Sequence, residues 1–441
     1  MERTLVTETI NKVGQTVTLK GWVNTKRDHS KIVFIDLRDR TGLIQIVGTG
    51  ELLGSLKLEE VVSIEGLVKA RPERLINPNI VTGTVEMEAT KLTVLSRSSE
   101  LPLDMGKPSL DVELSILLDN RSLSLRHPKI QAIFKVQAVI IDAFRKALVA
   151  KDFLEFQSPS IINAVPEGGA EVFKVKYFDH EAYLSQSPQL YKSLLTTAFE
   201  RVFSVNKIFR AEPSTTTRHL TEATSLDAEF NFIESWEDVL DLEEYVVRYI
   251  FKEVEEKCQK ELSLFEATIP LMSEKFPILK LRDAQEIIFK RTGRDCRKEK
   301  DLAPEDEREI CAWAKEEKGS DLVFVSHFLT KNKPFYCYPD PSDPEYALSV
   351  DLLCRGVEWS SGGQRLNDYE SILKNVKGWG LKEEEVTLYL QAFKYGSPAL
   401  GGFALGAERM TMYILGLKNV REASMFPRDM ERIDIRLSTI K

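Results

Sequence analysis

The sequence predicts an α+β protein: a small closed β-barrel at the N-terminus, then a larger domain built on an antiparallel sheet flanked by helices. Three observations carry this. Residues 1–100 hold five short strand-like stretches divided by turns. Two long stretches, starting near Pro128 and Ser235, place apolar residues at helical spacing. Downstream, β-like and helical segments follow in mixed order, which suits an antiparallel sheet with helices on it.

The barrel comes first. Residues 16–23 alternate apolar and polar side chains, and 32–37 and 43–47 flank a turn at Asp39-Arg40-Thr41-Gly42. Residues 61–66 and 84–88 supply two more strands. Five such strands in about 90 residues suit a small closed barrel such as an OB-fold. Polar, proline-containing sequence from Arg97 to about Asp111 reads as a linker. The expected division is a barrel over 1–100, a linker over 101–125 and the larger domain over 126–441.

Pro128 opens the first long helix, with Ile130, Ile133, Phe134, Ile140, Ile141, Phe144 and Leu148 on one stripe and Gln137 as its one polar member. Core packing or a dimer contact would both use such a stripe. The second helix is expected from Ser235 to about Leu262, with Asp238 as a weaker stand-in for the capping-box Glu. Strands are expected at 181–187, 201–209, 224–233, 334–338, 346–359 and 399–406. Helices are expected at 283–292, 306–317, 366–377, 382–394 and 407–416.

Composition sets limits. The chain has 441 residues, 43% hydrophobic and 29% charged, with no apolar run near the roughly 20 residues of a membrane helix. The N-terminal residues lack a signal-peptide pattern. Five scattered cysteines form no CxxC and read as reduced thiols of a cytoplasmic protein. The net charge of -8 is uneven: residues 1–100 carry 14 Lys and Arg against 13 Asp and Glu, or +1, leaving -9 for the rest. An acidic chain still binds RNA where basic residues share a face, so net charge decides little.

Several segments carry chemistry. Gly401-Gly402-Phe403-Ala404-Leu405-Gly406-Ala407-Glu408-Arg409 reads as a buried strand whose glycines admit a close neighbour or a flat ligand. Its terminal arginine suits phosphate; a core strand capped by a surface salt bridge is the plain alternative. Phe209-Arg210-Ala211-Glu212 ends a strand, and a polar loop with Arg218, His219 and Leu220 follows. That hairpin offers arginine forks to phosphate oxygens, or simply salt bridges to Glu212 and Glu222. Glu358 and Ser361 supply the hard oxygens Mg²⁺ prefers, and Arg365 follows Gly362-Gly363. The loop 166–171 is flexible and acidic. Residues 184–192 run from a strand end into a helix bearing Lys192. No GxxxxGK[ST], strand-linked GxGxxG or HExxH occurs, so nucleotide handling needs another device.

Together these residues resemble the class II aminoacyl-tRNA synthetases. The helix from Pro128 with Phe156-Gln157-Ser158-Pro159 is similar to the family's dimerisation motif. Phe209-Arg210-Ala211-Glu212…Arg218-His219 is similar to its second motif, and Gly402…Gly406-Ala407-Glu408-Arg409 to its third. The barrel, Gln186-Ser187-Pro188-Gln189-Leu190-Tyr191-Lys192 and Ser361-Gly362-Gly363-Gln364-Arg365 resemble the aspartyl-specific branch, in its compact archaeal/eukaryotic form.

The resemblance implies a homodimer that joins L-aspartate to ATP and passes the aspartyl group to tRNA(Asp). It implies Arg210 and Arg409 as catalytic residues. Glu167, Gln189, Lys192, Arg210, Ser361 and Arg365 would bind aspartate, with the 166–171 loop closing over it. Arg210, Glu212, Arg218, His219, Leu220, Glu358, Gly406, Ala407, Glu408 and Arg409 would bind ATP. Glu358 and Ser361 would carry Mg²⁺. Lys192 and Arg365 would select aspartate over asparagine, which would leave their charges uncompensated.

The barrel would read the anticodon through Phe34, Gln45 and Arg27, with Lys26 and Lys31 near phosphates. Phe34 as barrel core, and Arg27-Asp28 as a solvated turn, are open alternatives. Ala404 stands where the third motif usually has glycine, and Pro213-Ser214 departs from the usual acidic-polar start of the second-motif loop. Asn24 and the Asn77-Pro78 turn bear on whether tRNA(Asn) is charged as well. An asparaginyl enzyme and a non-catalytic tRNA-binding paralogue are the competing readings.

Overall fold

The computed structural model describes residues 2–29, 31–107, 109–163, 165, 172–213 and 216–439. Glu167 and the rest of the 166–171 loop, and Ser214, lie outside the described residues. The chain forms two compact units, Met1–His127 and Pro128–Lys441.

The first unit is the expected barrel. Strands β1 (Thr16–His29), β2 (Ile32–Asp39), β3 (Gly42–Thr49), β4 (Val61–Ala70) and β5 (Val85–Ser96) join in the order β1-β2-β3-β5-β4, and β4 pairs back onto β1 to close it. Among these five strands the β3–β5 pairing is the parallel one, and the short strand Arg3–Thr4 adds a second parallel pairing onto β1. Period-2 alternation puts Val33, Ile35 and Leu37 inside with Ile44, Ile46, Val62, Ile64 and Met87. β1 runs past residue 23, the end expected from its alternation. A register shift between Val23 and Thr25 bends the strand and lets pairing with β2 continue to His29.

The second unit centres on an eight-stranded sheet. Its strands are β6 (Leu154–Glu155), β7 (Arg201–Phe209), β8 (Glu222–Asn231), β9 (Ile278–Lys280), β10 (Leu322–Ser326), β11 (Ser349–Cys354), β12 (Val357–Arg365) and β13 (Leu400–Gly406). They lie in the order β9-β10-β11-β12-β13-β8-β7-β6, antiparallel except at the two ends. Five helices position the site: α1 (Pro128–Val149), α2 (Gln189–Phe199), α3 (Glu237–Lys257), α4 (Pro304–Lys318) and α5 (Ala407–Ile414). α1 packs along α3, burying Ile133, Phe134, Ile140, Phe144 and Leu148. Gln137, the polar member of that stripe, donates to the Ala423 carbonyl at 2.8 Å.

Three expectations change. The helix expected to run to Leu262 breaks at Cys258 and resumes over Gln259–Ser263. At its start Asp238 caps, accepting from the backbone N–H of Glu234 (2.7 Å) and Ser235 (3.2 Å). Residues 334–338 form a turn, not a strand; Pro334 cannot donate to a ladder, and Phe335 and Tyr336 are buried as core instead. The single stretch 346–359 divides, with β11 and β12 reversing through Arg355 (φ 49°) and Gly356 (φ 83°). Sequence reading missed β10, whose five residues are all buried.

Candidate active site

Two clusters meet on the open face of β8, β12 and β13. The first is buried. Helix α2 begins at Gln189 and points Lys192 into the sheet, where the residue is 1% exposed. Its Nζ lies 3.1 Å from Asp227 Oδ1, 3.4 Å from Glu229 Oε2 and 3.2 Å from the Phe403 carbonyl. From β12, Arg365 sets Nε 3.1 Å from Glu229 Oε1 and donates from Nη2 to the Gly402 carbonyl at 3.0 Å. Gln189 and Ser193 also donate to Glu229 Oε1, at 3.0 and 2.9 Å. Burial pushes the Glu229 carboxyl up, but Arg365 and Lys192 outweigh it and hold it below the usual range.

This cluster alters the selectivity argument. Lys192 and Arg365 do stand together, but Asp227 and Glu229 already neutralise them. Asparagine would therefore not meet two bare cations. Selection of aspartate over asparagine would fall to donors left over, such as Nη1 of Arg365, which none of these contacts engages. Gly402 belongs to the same device. A Cβ there would sit 2.1 Å from the Ala228 carbonyl and 2.2 Å from Glu229 Oε2, so the glycine makes room for the neighbouring strand and its carboxylate. The part of β13 that faces ligand space is Ala404, Leu405 and Gly406.

The second cluster lines a cavity of about 270 Å³. Arg210, Glu212, Arg218, His219, Leu220, Glu358, Ser361, Gly406, Glu408 and Arg409 all border it. Arg210 follows β7 and is exposed. Arg218 donates from Nη1 to Glu307 Oε2 at 3.2 Å. Arg409, in the first turn of α5, donates from Nη1 to the Glu358 carbonyl at 2.7 Å. Burial lowers the His219 pKa, reinforced by Arg409, Arg210 and Arg218 against Glu212. His219 is tied through Nδ1 to Thr216 Oγ1 at 2.7 Å. Glu408 is spoken for inside the protein: both carboxylate oxygens accept from the Thr224 backbone N–H, at 3.1 and 2.9 Å, fixing α5 to β8. Ala407 turns into the core.

Glu358 and Ser361 would face opposite sides of a regular strand. A bulge between their partners on β11 skips Trp359, so Leu352 opposes Ser360 while Leu353 opposes Glu358. Glu358 and Ser361 thereby reach the same open face, and Trp359 and Ser360 are buried. Across the ladder from Ser361 stands Asp351, missed at the sequence level, whose Oδ2 meets Lys333 Nζ at 3.4 Å and whose Oδ1 is buried without a hydrogen-bond partner among the described residues. Two carboxylates and a hydroxyl of this kind fit Mg²⁺, which takes one or two protein carboxylates and completes its shell with phosphate and water.

On the barrel, Phe34 stands half-buried on the outer face, its ring 5.7 Å from that of His29, and so is not barrel core. Arg27 lies within β1, not in a turn, and bonds Asp36 and Gln45, each at 3.2 Å. Gln45 also donates to Glu86 at 2.9 Å. Lys26 is engaged by the Gly54 and Leu56 carbonyls; Lys31 is exposed.

Comparison with known proteins fits this geometry. Residues 113–430 match the family model of class II tRNA synthetases (D, K and N), and residues 17–95 match the OB-fold nucleic acid binding domain. The chain belongs to the class II tRNA synthetases. Among relatives, it is 40% identical to an aspartate–tRNA(Asp/Asn) ligase of Deinococcus radiodurans, covering 98% of this chain and 99% of the relative. It is 39% identical to an aspartate–tRNA(Asp) ligase of Pyrococcus furiosus, covering 97% and 98%. Among solved structures, an asparaginyl-tRNA synthetase of Pyrococcus horikoshii complexed with asparaginyl-adenylate superposes with a TM-score of 0.89 at 32% identity, covering 98% and 99%. As a class II synthetase, the chain keeps arginines in both its second- and third-motif segments. Asp227, Glu229, Asp351 and Glu307 are further residues that the fold brings beside these clusters and that sequence reasoning left unassigned. The first two were visible as acids on a strand beside Arg210; the others carry no local signal.

Proposed function

We propose that the protein is an aspartate–tRNA ligase: it activates L-aspartate with ATP and transfers the aspartyl group to tRNA(Asp). The observation that carries this is the likeness, over nearly the whole chain, to aspartate–tRNA ligases, together with the arginine-lined cavity. In the first step the aspartate α-carboxylate forms a bond to the α-phosphorus as the α–β bridge bond breaks and pyrophosphate leaves. No protein nucleophile is required, only alignment and neutralisation of charge. Arg210 would stabilise the α-phosphate, and Arg218 and Arg409 the β/γ end, with adenine over Ala404–Gly406 near Leu220. Glu358 and Ser361 would hold Mg²⁺, which supplies further neutralisation of phosphate oxygens. Gln189, with Glu167, would hold the α-amino group. Then a ribose hydroxyl of the tRNA end attacks the carbonyl and AMP leaves.

The barrel, residues 1–100, would read the anticodon through Phe34, Gln45 and Arg27. α1 and residues 156–159 would form a homodimer contact; Leu154 and Ile161, nearly half exposed, border that segment. The five buried cysteines form no disulfide among the described residues, which supports a cytoplasmic setting; no described helix is long and apolar enough to cross a membrane.

Charging of tRNA(Asn) as well is the second acceptor reading, favoured by the name of the Deinococcus relative. Asparagine activation is favoured instead by the internal neutralisation of Lys192 and Arg365. Pyrophosphate exchange with aspartate and with asparagine tests the amino acid: exchange with aspartate alone is expected, and exchange with asparagine alone would overturn the proposal. Charging of the two tRNA transcripts then separates the acceptors.

A further inference from the structure

Arg218 is carried on the segment between β7 and β8. It sits in a loop, where fixing an arginine side chain costs rotamer freedom. Its side chain is nonetheless only 24% exposed, and its guanidinium is met by Glu307, a residue 89 positions away in the first turn of α4. The contact is a single one, Nη1 to Oε2 at 3.2 Å, which leaves the other nitrogens of the fork to the cavity. Glu307 is itself 14% exposed.

Burial, with Glu358 nearby, lifts its carboxyl to about 7 against the pull of Arg218 and Arg409, so this acid belongs to the cavity's electrostatics. The helix N-terminus around it favours its charged form. Arg409 has an equivalent resident acceptor in the Glu358 carbonyl.

We propose that Glu307 is a positioning residue for ATP: its carboxylate holds the Arg218 guanidinium at the phosphate end of the cavity with the remaining N–H groups turned to the triphosphate. The proposal rests on the reading that this cavity takes ATP with Arg218 at its phosphates. Pyrophosphate exchange at saturating aspartate, measured against ATP concentration, tests both for Glu307→Ala, Glu307→Gln, Arg218→Ala and the Glu307→Ala/Arg218→Ala pair. Glu307→Ala is expected to raise the KM for ATP about tenfold, with kcat and the KM for aspartate within about twofold of wild type. Glu307→Gln, whose amide oxygen still accepts, recovers most of the loss. With Arg218 already removed, Glu307→Ala adds less than about twofold, because the two side chains act as one unit.

An unmoved or lowered KM for ATP in Glu307→Ala, or additive losses in the pair, would overturn the proposal alone, provided Arg218→Ala weakens ATP. An Arg218→Ala variant with normal ATP dependence overturns the cavity reading and the proposal with it. If Glu307→Ala does not fold, Glu307→Asp, which withdraws the carboxylate by one methylene, carries the same measurement with the same two outcomes.

Discussion

At the end proposed for aspartate, two cations and two carboxylates are packed into a buried cluster in which Lys192 makes three contacts and Glu229 accepts from four side chains. At the end proposed for phosphate, arginines stand around an open cavity, with Arg218 and Arg409 each held by one partner residue among the described residues. The first arrangement fixes shape before any substrate arrives, since each charge already has its partner. The second keeps donors free for a ligand that brings its own negative charge. Removing a residue from the first should therefore cost stability and activity together, whereas removal from the second should cost activity alone.

Lys192→Ala is the severest way to break this contrast. It leaves Asp227 and Glu229 buried with one cation fewer, and loss of one partner from a buried ion pair costs about 3–5 kcal/mol. Aspartate-dependent exchange is expected to disappear and the Tm to fall markedly, while ATP binding to the folded fraction survives. Unchanged exchange would remove Lys192 from the aspartate site.

Arg210→Ala should behave in the opposite sense. The side chain is exposed, so thermal stability should move by no more than about 0.5 kcal/mol. Loss of the charge proposed to meet the α-phosphate should lower kcat by about 10²–10³-fold. A Tm drop comparable to that of Lys192→Ala would erase the distinction between the ends.

Beneath both ends lies Glu243 of α3, fully buried and hydrogen-bonded to Ser360 on the inner face of the bulged strand β12. Burial lifts its pKa to about 8, with Asp351 adding to the rise. The fold therefore holds a proton that the unfolded chain releases near 4.5, and stability falls as pH rises from that value through about 8. For a fully buried group the loss is on the order of several kcal/mol. Glu243→Gln keeps a neutral hydrogen-bonding group and removes the titration. Thermal unfolding should show the Gln variant at least as stable as wild type at pH 9, with the advantage gone at pH 5. A pH-independent difference would mean that Glu243 is ionised throughout.

How far the sequence foretold this depends on the range of the signal. Barrel strands were legible because the period-2 pattern marks Val33, Ile35 and Leu37 as inward. The site arginines were legible because they sit within short motifs of recognisable order. β10 was missed since a five-residue apolar run has no period to separate strand from helix. The bulge at Trp359 was invisible: residues 358–361 do not say how many partners face them. The neutralisation of Lys192 and Arg365 depends on strands β8 and β13 lying between them, a non-local pairing that no spacing encodes.

Ala404 offers the smallest and most local test. It lines the cavity at a position where Ser361 and Asp227 are its cross-strand neighbours, on the boundary between the two ends. Its methyl is half-buried, unlike the packed-in positions of Gly401 and Gly402. Ala404→Gly should therefore change the KM for ATP by less than about threefold, below the 10-fold or more that a methylene is worth in a filled pocket. The added chain freedom should lower stability by about 0.5–1 kcal/mol. A tenfold tightening of ATP with no change for aspartate would show instead that the methyl crowds the adenine, and would place the nucleotide deeper on β13 than the lining of the cavity implies.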